Sequence, residues 1–383
     1  MNLYDWIVVG GGITGSALAY ELSKKGLKVL LLEKDKLADN ATVYSYGGLA
    51  YWSGTDTLTS QLGQLGIELH RQLAQELGSN TGFRELDLLL TVESHEDPVQ
   101  VAQSLPQFAI QPEILNPEEA CTLEPLLNPD GISGALRFPH GKIDPVATAR
   151  AYQQAFLRNG GQIVYAEVTS FLRPQPNQIK GVIASGKTHQ ATNTVVCAGG
   201  LTRTLLENAG IENKVYFTHA QVIKTKPNPD IRLKTIIMPA KQQRFVLEAA
   251  AQNLDWNPAN NQIMQSILDP GIVQLEDGSF FLGQISAIVT NPHYQLDNHQ
   301  AEQQIRAKIA PLIPAIAKLP GVCHQCLVAF NTKRIAIIDN LKNIGGIYLF
   351  TGFTSTMVFA PPLAREFANW VTGEKQTLIA QLR

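Results

Sequence analysis

The N-terminal segment constrains the fold more than any other stretch of the chain. Trp6 to Val9 is a short continuous apolar run rich in β-branched residues, the pattern of a strand buried on both faces of a parallel sheet. Glycines follow at once, and Ile13 to Lys25 reads as a helix that stops at Lys24, Lys25 and Gly26. Val29 to Leu32 is apolar again, and Glu33 ends that second strand. Strand, turn, helix and strand in so short a span make one βαβ unit. Gly10, Gly12 and Gly15 have the spacing G-x-G-x-x-G. Gly10 permits the tight turn out of the strand. Gly12, with no side chain, lets the backbone approach a pyrophosphate. Gly15 lets the helix pack on the sheet. The helix start, at Ile13 and Thr14, offers unpaired N–H groups and a positive dipole end. Glu33 is placed to accept hydrogen bonds from ribose hydroxyls, with Lys34 beside it. An acid at 33 argues against a 2′-phosphate, while the motif itself does not separate NAD from FAD.

Length and composition set the remaining bounds. The chain has 383 residues, enough at roughly 100–200 residues per domain for two or three structural units. Hydrophobic residues are 44% and charged residues 17%, an ordinary globular balance. A net charge of -2 gives no sign of a nucleic-acid partner. No apolar run reaches the roughly 18 residues of a membrane span. MNLYDW leads into the first strand without a basic leader, so a cytoplasmic location is expected, with peripheral membrane association left open. The cysteines read as reduced thiols. Cys323-His324-Gln325-Cys326 has no second C-x-x-C to close a zinc site, so no metal is expected.

Further along, Thr59 to Leu77 reads as a helix with leucines along one face, and Leu86 to Glu93 as a strand. Asp97 to Pro145 holds many prolines and broken patterns. Asp144 to Asn159 reads as a helix, with Asp144-Pro145 as N-cap and first helical residue. Gln162 to Tyr165, Lys180 to Ala184 and Thr194 to Cys197 read as strands. A helix is expected over 300–317, a strand at Ile347 to Phe350 and a helix from about Pro361 to Val371.

These residues resemble the D-amino-acid oxidase superfamily of flavoproteins, whose members include glycine oxidase, sarcosine oxidase and D-amino acid dehydrogenases. The resemblance is strong at the N-terminus, good over residues 140–200 and loose over 320–375. VVGGGITGSALAYELSKKGLKVLLLEK is similar to the family's opening βαβ unit. NATVYSYGGLA is similar to its loop along the flavin, which implies roles for Thr42, Gly47 and Gly48. HGKIDP resembles its G-x-[VI]-D-P. VVCAGG resembles a strand end passing close to FAD, which implies Ala198 and Gly199, and Val168 sits where the family contacts the adenine. YLFTGFTSTMVFAPPLAREFANWVTG resembles the family's strand, turn and helix at the flavin N1/C2=O edge, which implies Gly352, Phe353, Thr354, Ser355 and Thr356. Phe353 replaces the usual His and Met357 the usual second Gly. The family's carboxylate-binding Arg-Pro pair is missing near Val328-Ala329, and Lys333 and Arg334 are displaced from it.

The resemblance implies an α/β fold: a Rossmann-type FAD-binding domain (1–80, 140–214 and 320–383) with an inserted α+β substrate domain (81–139 and 215–319) on a mainly antiparallel sheet. It implies non-covalent FAD and oxidation of a C–N bond of a small amine or amino acid, by hydride transfer to flavin N5, with oxygen or quinone as electron acceptor. Candidates for the substrate side are Tyr46, Tyr51, Arg244 and Arg334, with His219 a further possibility or a satisfied structural residue. Oxidation of a 2-hydroxy acid or similar alcohol, a flavin-binding protein with little turnover, and a nicotinamide-only dehydrogenase are the competing readings.

Overall fold

The computed structural model describes residues 3–332, 335–374 and 378–382. Two sheets organise it. In the first, the parallel strands run in the order Ile347–Thr351, Lys187–Val196, Leu3–Val9, Val29–Glu33, Gln162–Tyr165, with Ile337–Asn340 added antiparallel at one edge. Both faces are covered. Trp6, Val8, Val29, Leu31 and Val195 point into a core shared with the helices Ile13–Lys24, Thr57–Leu77, Pro145–Arg158 and Thr356–Val371. Ile7, Val9, Leu30, Leu32 and Val196 point into a second core on the opposite face. That two-sided burial is why these strands read as unbroken apolar runs rather than alternating ones.

The second sheet has nine strands, paired antiparallel except where Ile236–Pro239 runs parallel to Arg84–Glu93. The helix Asn298–Ile309 packs on it through Ala301, Ile305 and Ile309. Its edge strand Gly321–Phe330 pairs along its whole length with Tyr216–Thr225. Residues 321–330 therefore belong to this sheet, not to the nucleotide-binding unit in which 320–383 was expected. Residues Gly141 and Lys142 likewise pair here with Leu49 and Gly48.

Other local departures have clear causes. The proline-rich stretch after Asp97 contains the strand Ile132–Lys142, a long strand of this sheet. Pro139 is tolerated because only Asp87 lies opposite it; the strand's other neighbours pair at residues 135–137 and 141–142. The helix expected over 300–317 is two helices, Asn298–Ile309 and Pro314–Ala317, parted where Pro311 and Pro314 cannot continue the ladder. Asp144 caps its helix as expected, accepting from Val146 N and Ala147 N at 2.8 and 2.9 Å.

The helix Thr356–Val371 begins earlier than its sequence suggests and runs through Pro361 and Pro362. Neither proline has an N–H, so the Met357 and Val358 carbonyls lose their intrahelical donors. His70 Nε2 supplies a donor to Met357 O at 2.8 Å. Gly66 lets the partner helix come so close that a Cβ there would lie 2.2 Å from Val358 O. His70 is fully buried, and burial lowers its pKa to about 4; His140, also buried, is lowered to about 3.

Both imidazoles are neutral in the fold, while an exposed histidine titrates near pH 6.5. The unfolded chain therefore binds more protons below that pH, and stability present above it is lost as the pH falls toward 4. Each of the two groups contributes a slope of up to about 1.4 kcal/mol per pH unit in that window. Urea unfolding at a series of pH values checks this. His70→Gln, which keeps an N–H for Met357 O, is expected to flatten the slope. His70→Leu is expected to cost about 1–3 kcal/mol at neutral pH by leaving that carbonyl without a donor.

Candidate cofactor and substrate cavity

The strands Leu3–Val9 and Lys187–Val196 lie side by side in the first sheet, Val9 opposite Val196. From the first strand the chain builds outward to one side, and from Lys187–Val196 to the other. A crevice forms where strand order reverses in this way, and in open α/β sheets that is where ligands sit. Two turns frame it. Gly10 N donates to Leu32 O and Cys197 N to Val9 O, each at 2.8 Å. Gly10 has φ +105°, and a Cβ there would lie 2.5 Å from Cys197 O. At Gly15 it would lie 1.9 Å from Gly10 O, so this glycine serves packing and does not line the cavity. At Gly12 it would meet only Thr42 Oγ1, at 3.0 Å, and would otherwise project into the crevice.

The helix N-terminus here has no side-chain cap from Gly12, though Ile13 N donates to Thr42 Oγ1 at 3.1 Å. Glu33 is engaged within the protein itself. Its carboxylate accepts from Gly11 N at 2.6 Å and from Asp35 N at 3.1 Å, tying the glycine turn to the second strand. Lys34 pairs with Asp35.

From this crevice one continuous cavity of about 1970 Å³ runs to the second sheet. It is lined by Gly10, Gly12, Ile13, Thr14, Glu33 and Lys34, then by Thr42 and Gly48. Val168, Ala198, Gly199 and the turn Gly352, Phe353, Thr354, Ser355 and Thr356 also line it. That turn is fixed by Asn331 Nδ2, which donates to Gly352 O at 2.6 Å, and by Thr354 N, which donates to Ile335 O at 2.9 Å. It opens the helix Thr356–Val371, so two helix N-termini give on to the same space. Such a volume is about twice that of a large single-ligand pocket, room for a dinucleotide and a second molecule.

A family model described as "FAD dependent oxidoreductase" matches residues 5–370. The chain belongs to this family. Among curated relatives, rat mitochondrial dimethylglycine dehydrogenase is 27% identical over 233 residues, 60% of this chain and 27% of that protein. Human mitochondrial sarcosine dehydrogenase is 26% identical over 379 residues, 95% of this chain and 39% of that protein. The chain thus spans between a quarter and two fifths of the length of these relatives. Two solved structures share the fold across nearly the whole of both chains. Glycine oxidase from Geobacillus kaustophilus gives a TM-score of 0.79 at 18% identity, covering 98% of this chain and 96% of that one. L-proline dehydrogenase from P. horikoshii gives 0.77 at 20% identity, covering 98% and 95%.

The donor set fits FAD: a glycine cradle that a Cβ at Gly12 would enter, an uncapped helix start, and a carboxylate at the end of the second strand. Other expected residues stand elsewhere. Gly47, at φ +72°, turns tightly against Ile143 O, and Tyr51 packs against the first core; neither lines the cavity. His219 is buried, its Nε2 on Asn291 O at 3.0 Å and its Nδ1 on Gln325 Nε2 at 2.8 Å, a satisfied residue away from the cavity lining. Arg334 and Lys333 lie outside the described residues. Among the described residues no cluster of three or more His, Cys, Asp or Glu could hold a metal. Burial pushes both the Cys323 and Cys326 thiols up to about 12, which disfavours the reactive thiolate.

Tyr46 and Arg244 do reach the cavity. The Tyr46 hydroxyl is buried without a hydrogen-bond partner among the described residues. Burial raises its pKa, nearby Asp269 raises it further and Arg244 opposes. Arg244 opens the helix Arg244–Ala250, whose start is held by Asp269 through Gln243 N at 3.0 Å and Arg244 N at 3.1 Å. Its guanidinium has Glu248 at 3.4 Å. Glu248 is half-buried, and this desolvation raises its pKa against the pull of Arg244.

Sequence reasoning missed Trp52 and His140. Trp52 Nε1 donates to His140 Nδ1 at 3.0 Å, which leaves the ring proton on Nε2, facing the cavity where Gly48 has no side chain. His140 sits inside HGKIDP, where attention goes to the capping Asp-Pro pair, and Trp52 lies in a loop without periodicity.

Two glycine substitutions separate ligand binding from folding. Gly12→Ala is expected to fold with nearly unchanged stability and to weaken FAD binding by about tenfold or more, because the methyl enters the cradle. Gly15→Ala forces the backbone apart and is expected to cost about 1–3 kcal/mol of stability. FAD titration by fluorescence quenching and thermal melts of both variants check this.

Proposed function

We propose that this chain oxidises a C–N bond of a small amino acid or related amine. The observation that carries the reading is Arg244 in the cavity lining beside Tyr46, whose hydroxyl is buried without a hydrogen-bond partner among the described residues. A buried donor without an acceptor is costly unless a ligand supplies one. A carboxylate suits both a neutral O–H and a guanidinium. Arg244 thereby takes the place of the arginine missing near Val328. The names of the relatives, sarcosine, dimethylglycine and glycine enzymes among them, point to the same substrate class.

In this reading Gly10, Gly12, Ile13, Thr14 and Thr42 receive the pyrophosphate, Glu33, Lys34 and Val168 the adenosine end, and Gly48, Ala198, Gly199 and residues 352–356 the flavin end. FAD, when bound, would supply the two-electron acceptor for oxidation of the substrate's C–N bond, the product imine being open to hydrolysis by water. The chain's own residues do the rest. Tyr46 and Arg244 hold the carboxylate and so fix the position of the α-carbon. The two helix N-termini and the polar turn at Gly352 place positive potential along the cavity. The apolar wall of the second sheet excludes water. No general base is required where the amine binds neutral.

Glu248 competes with substrate for Arg244. Below its raised pKa Glu248 is neutral and Arg244 is free, so anion affinity should rise as the pH falls through that pKa. Methanesulfonate, which stays ionised, is a suitable probe of inhibition across pH. Glu248→Gln is expected to bind it tightly at every pH.

Anaerobic mixing with amino acids tests the main reading. Bleaching of the flavin bands by an amino acid supports it. Bleaching only by 2-hydroxy acids transfers the site to alcohol oxidation, and bleaching by neither overturns catalysis on either class. Tyr46→Phe and Arg244→Leu are each expected to raise KM by about ten- to a hundredfold, the value of one hydrogen bond to a charged group.

A further inference from the structure

We infer that the substrate carries a bulky apolar or aromatic group, which docks against the wall of the second sheet. The inference rests on the proposed amine oxidation and names its substrate class.

The wall is built and rigid. Trp52 is 4% exposed and lies stacked on Phe138, ring centroids 3.9 Å apart, with Phe108 edge-on at 5.0 Å. The hydrogen bond to His140 fixes the remaining freedom of the indole. Leu88 and Leu90, two residues apart on Arg84–Glu93, present the same face of that strand. Met238 lies on the adjacent strand, paired with Leu90. Leu105 and Phe108 come from a segment clamped over Trp52 by Ala109 N to Gly54 O at 2.7 Å and Ile110 N to Trp52 O at 3.3 Å. Trp52, Leu88, Leu90, Leu105, Phe108 and Met238 all line the cavity and belong to one hydrophobic cluster.

One polar group beside this wall is His140. Burial holds its pKa at about 3, so it is uncharged. A charged substrate side chain packed against these apolar side chains would lose its water. Glycine or sarcosine would fill only the Tyr46–Arg244 end and leave the half-buried Leu105, Phe108 and Met238 side chains, which Trp52 backs, uncovered. An aliphatic or aromatic side chain covers them, and each methylene removed from water is expected to strengthen binding about fourfold.

The test is rapid anaerobic mixing of the FAD-loaded protein with glycine, sarcosine, alanine, leucine and phenylalanine (both enantiomers where they exist), aspartate and lysine. The second-order rate of flavin reduction is read for each. The expected order is leucine or phenylalanine above alanine, alanine above glycine and sarcosine, and the charged side chains lowest. The leucine-to-glycine ratio is expected to exceed about thirtyfold. Trp52→Ala removes most of that ratio. Phe108→Ala, at a half-buried position where folding is secure, lowers it by at least threefold. Perturbation of the flavin spectrum by benzoate and by acetate gives a reading independent of turnover: benzoate should bind more tightly, and less so in Phe108→Ala. Faster reduction by glycine, sarcosine or a charged amino acid overturns the inference while leaving amine oxidation intact. A ratio untouched by Phe108→Ala also overturns it. Reduction by no amine of any size removes amine oxidation itself, and this inference with it.

Discussion

The parallel pairing of Leu3–Val9 with Lys187–Val196 is the constraint on which the rest of the structure depends. These strands are far apart in sequence, yet their carboxyl ends must come close enough for Gly10 to touch Cys197 O. Any Cβ at Gly10 would hold them apart. The first helix can follow immediately only because Gly15 rests on Gly10 O. Glycine at those positions therefore sets the width of the crevice before any ligand is considered, and the sheet, its covering helices and the position of the second sheet all build on it.

The cavity between the sheets is divided by chemistry. Its first part is backbone: turns, helix starts and a carboxylate already engaged with Gly11 and Asp35. Its far part is side chains, apolar on the strand faces and polar where Tyr46, Arg244 and His140 intrude. Burial keeps the Tyr46 phenol and the His140 imidazole neutral, while Arg244 brings a charge that Glu248 partly offsets.

How much of this could be read from the sequence followed physical locality. The glycine turn, Glu33 and the Asp144 cap act within a few residues of themselves and were legible as motifs. The turn at Gly352 was legible by resemblance. The strand Ile132–Lys142 was not, because Pro139 is tolerated only through the layout of its neighbours, which no local pattern encodes. The sheet membership of Gly321–Phe330 depends likewise on a distant partner. Tyr46 and Tyr51 looked equivalent around the Gly47–Gly48 pair, yet one faces the cavity and the other the core. The Trp52–His140 pair joins residues that share no motif at all.

The contact of His70 and Gly66 with the carbonyls of Met357 and Val358 ties two walls of the cavity to each other. The helix Thr57–Leu77 follows directly on Trp52 and is capped by Asp56, while Thr356–Val371 follows directly on the Gly352 turn. Docked helix to helix, the aromatic wall and the turn form one rigid jaw, whose gap cannot widen without breaking that seam. The Arg244–Ala250 helix is seated differently, resting on the sheet through Leu247 and leaving Phe245 and Val246 exposed at the rim.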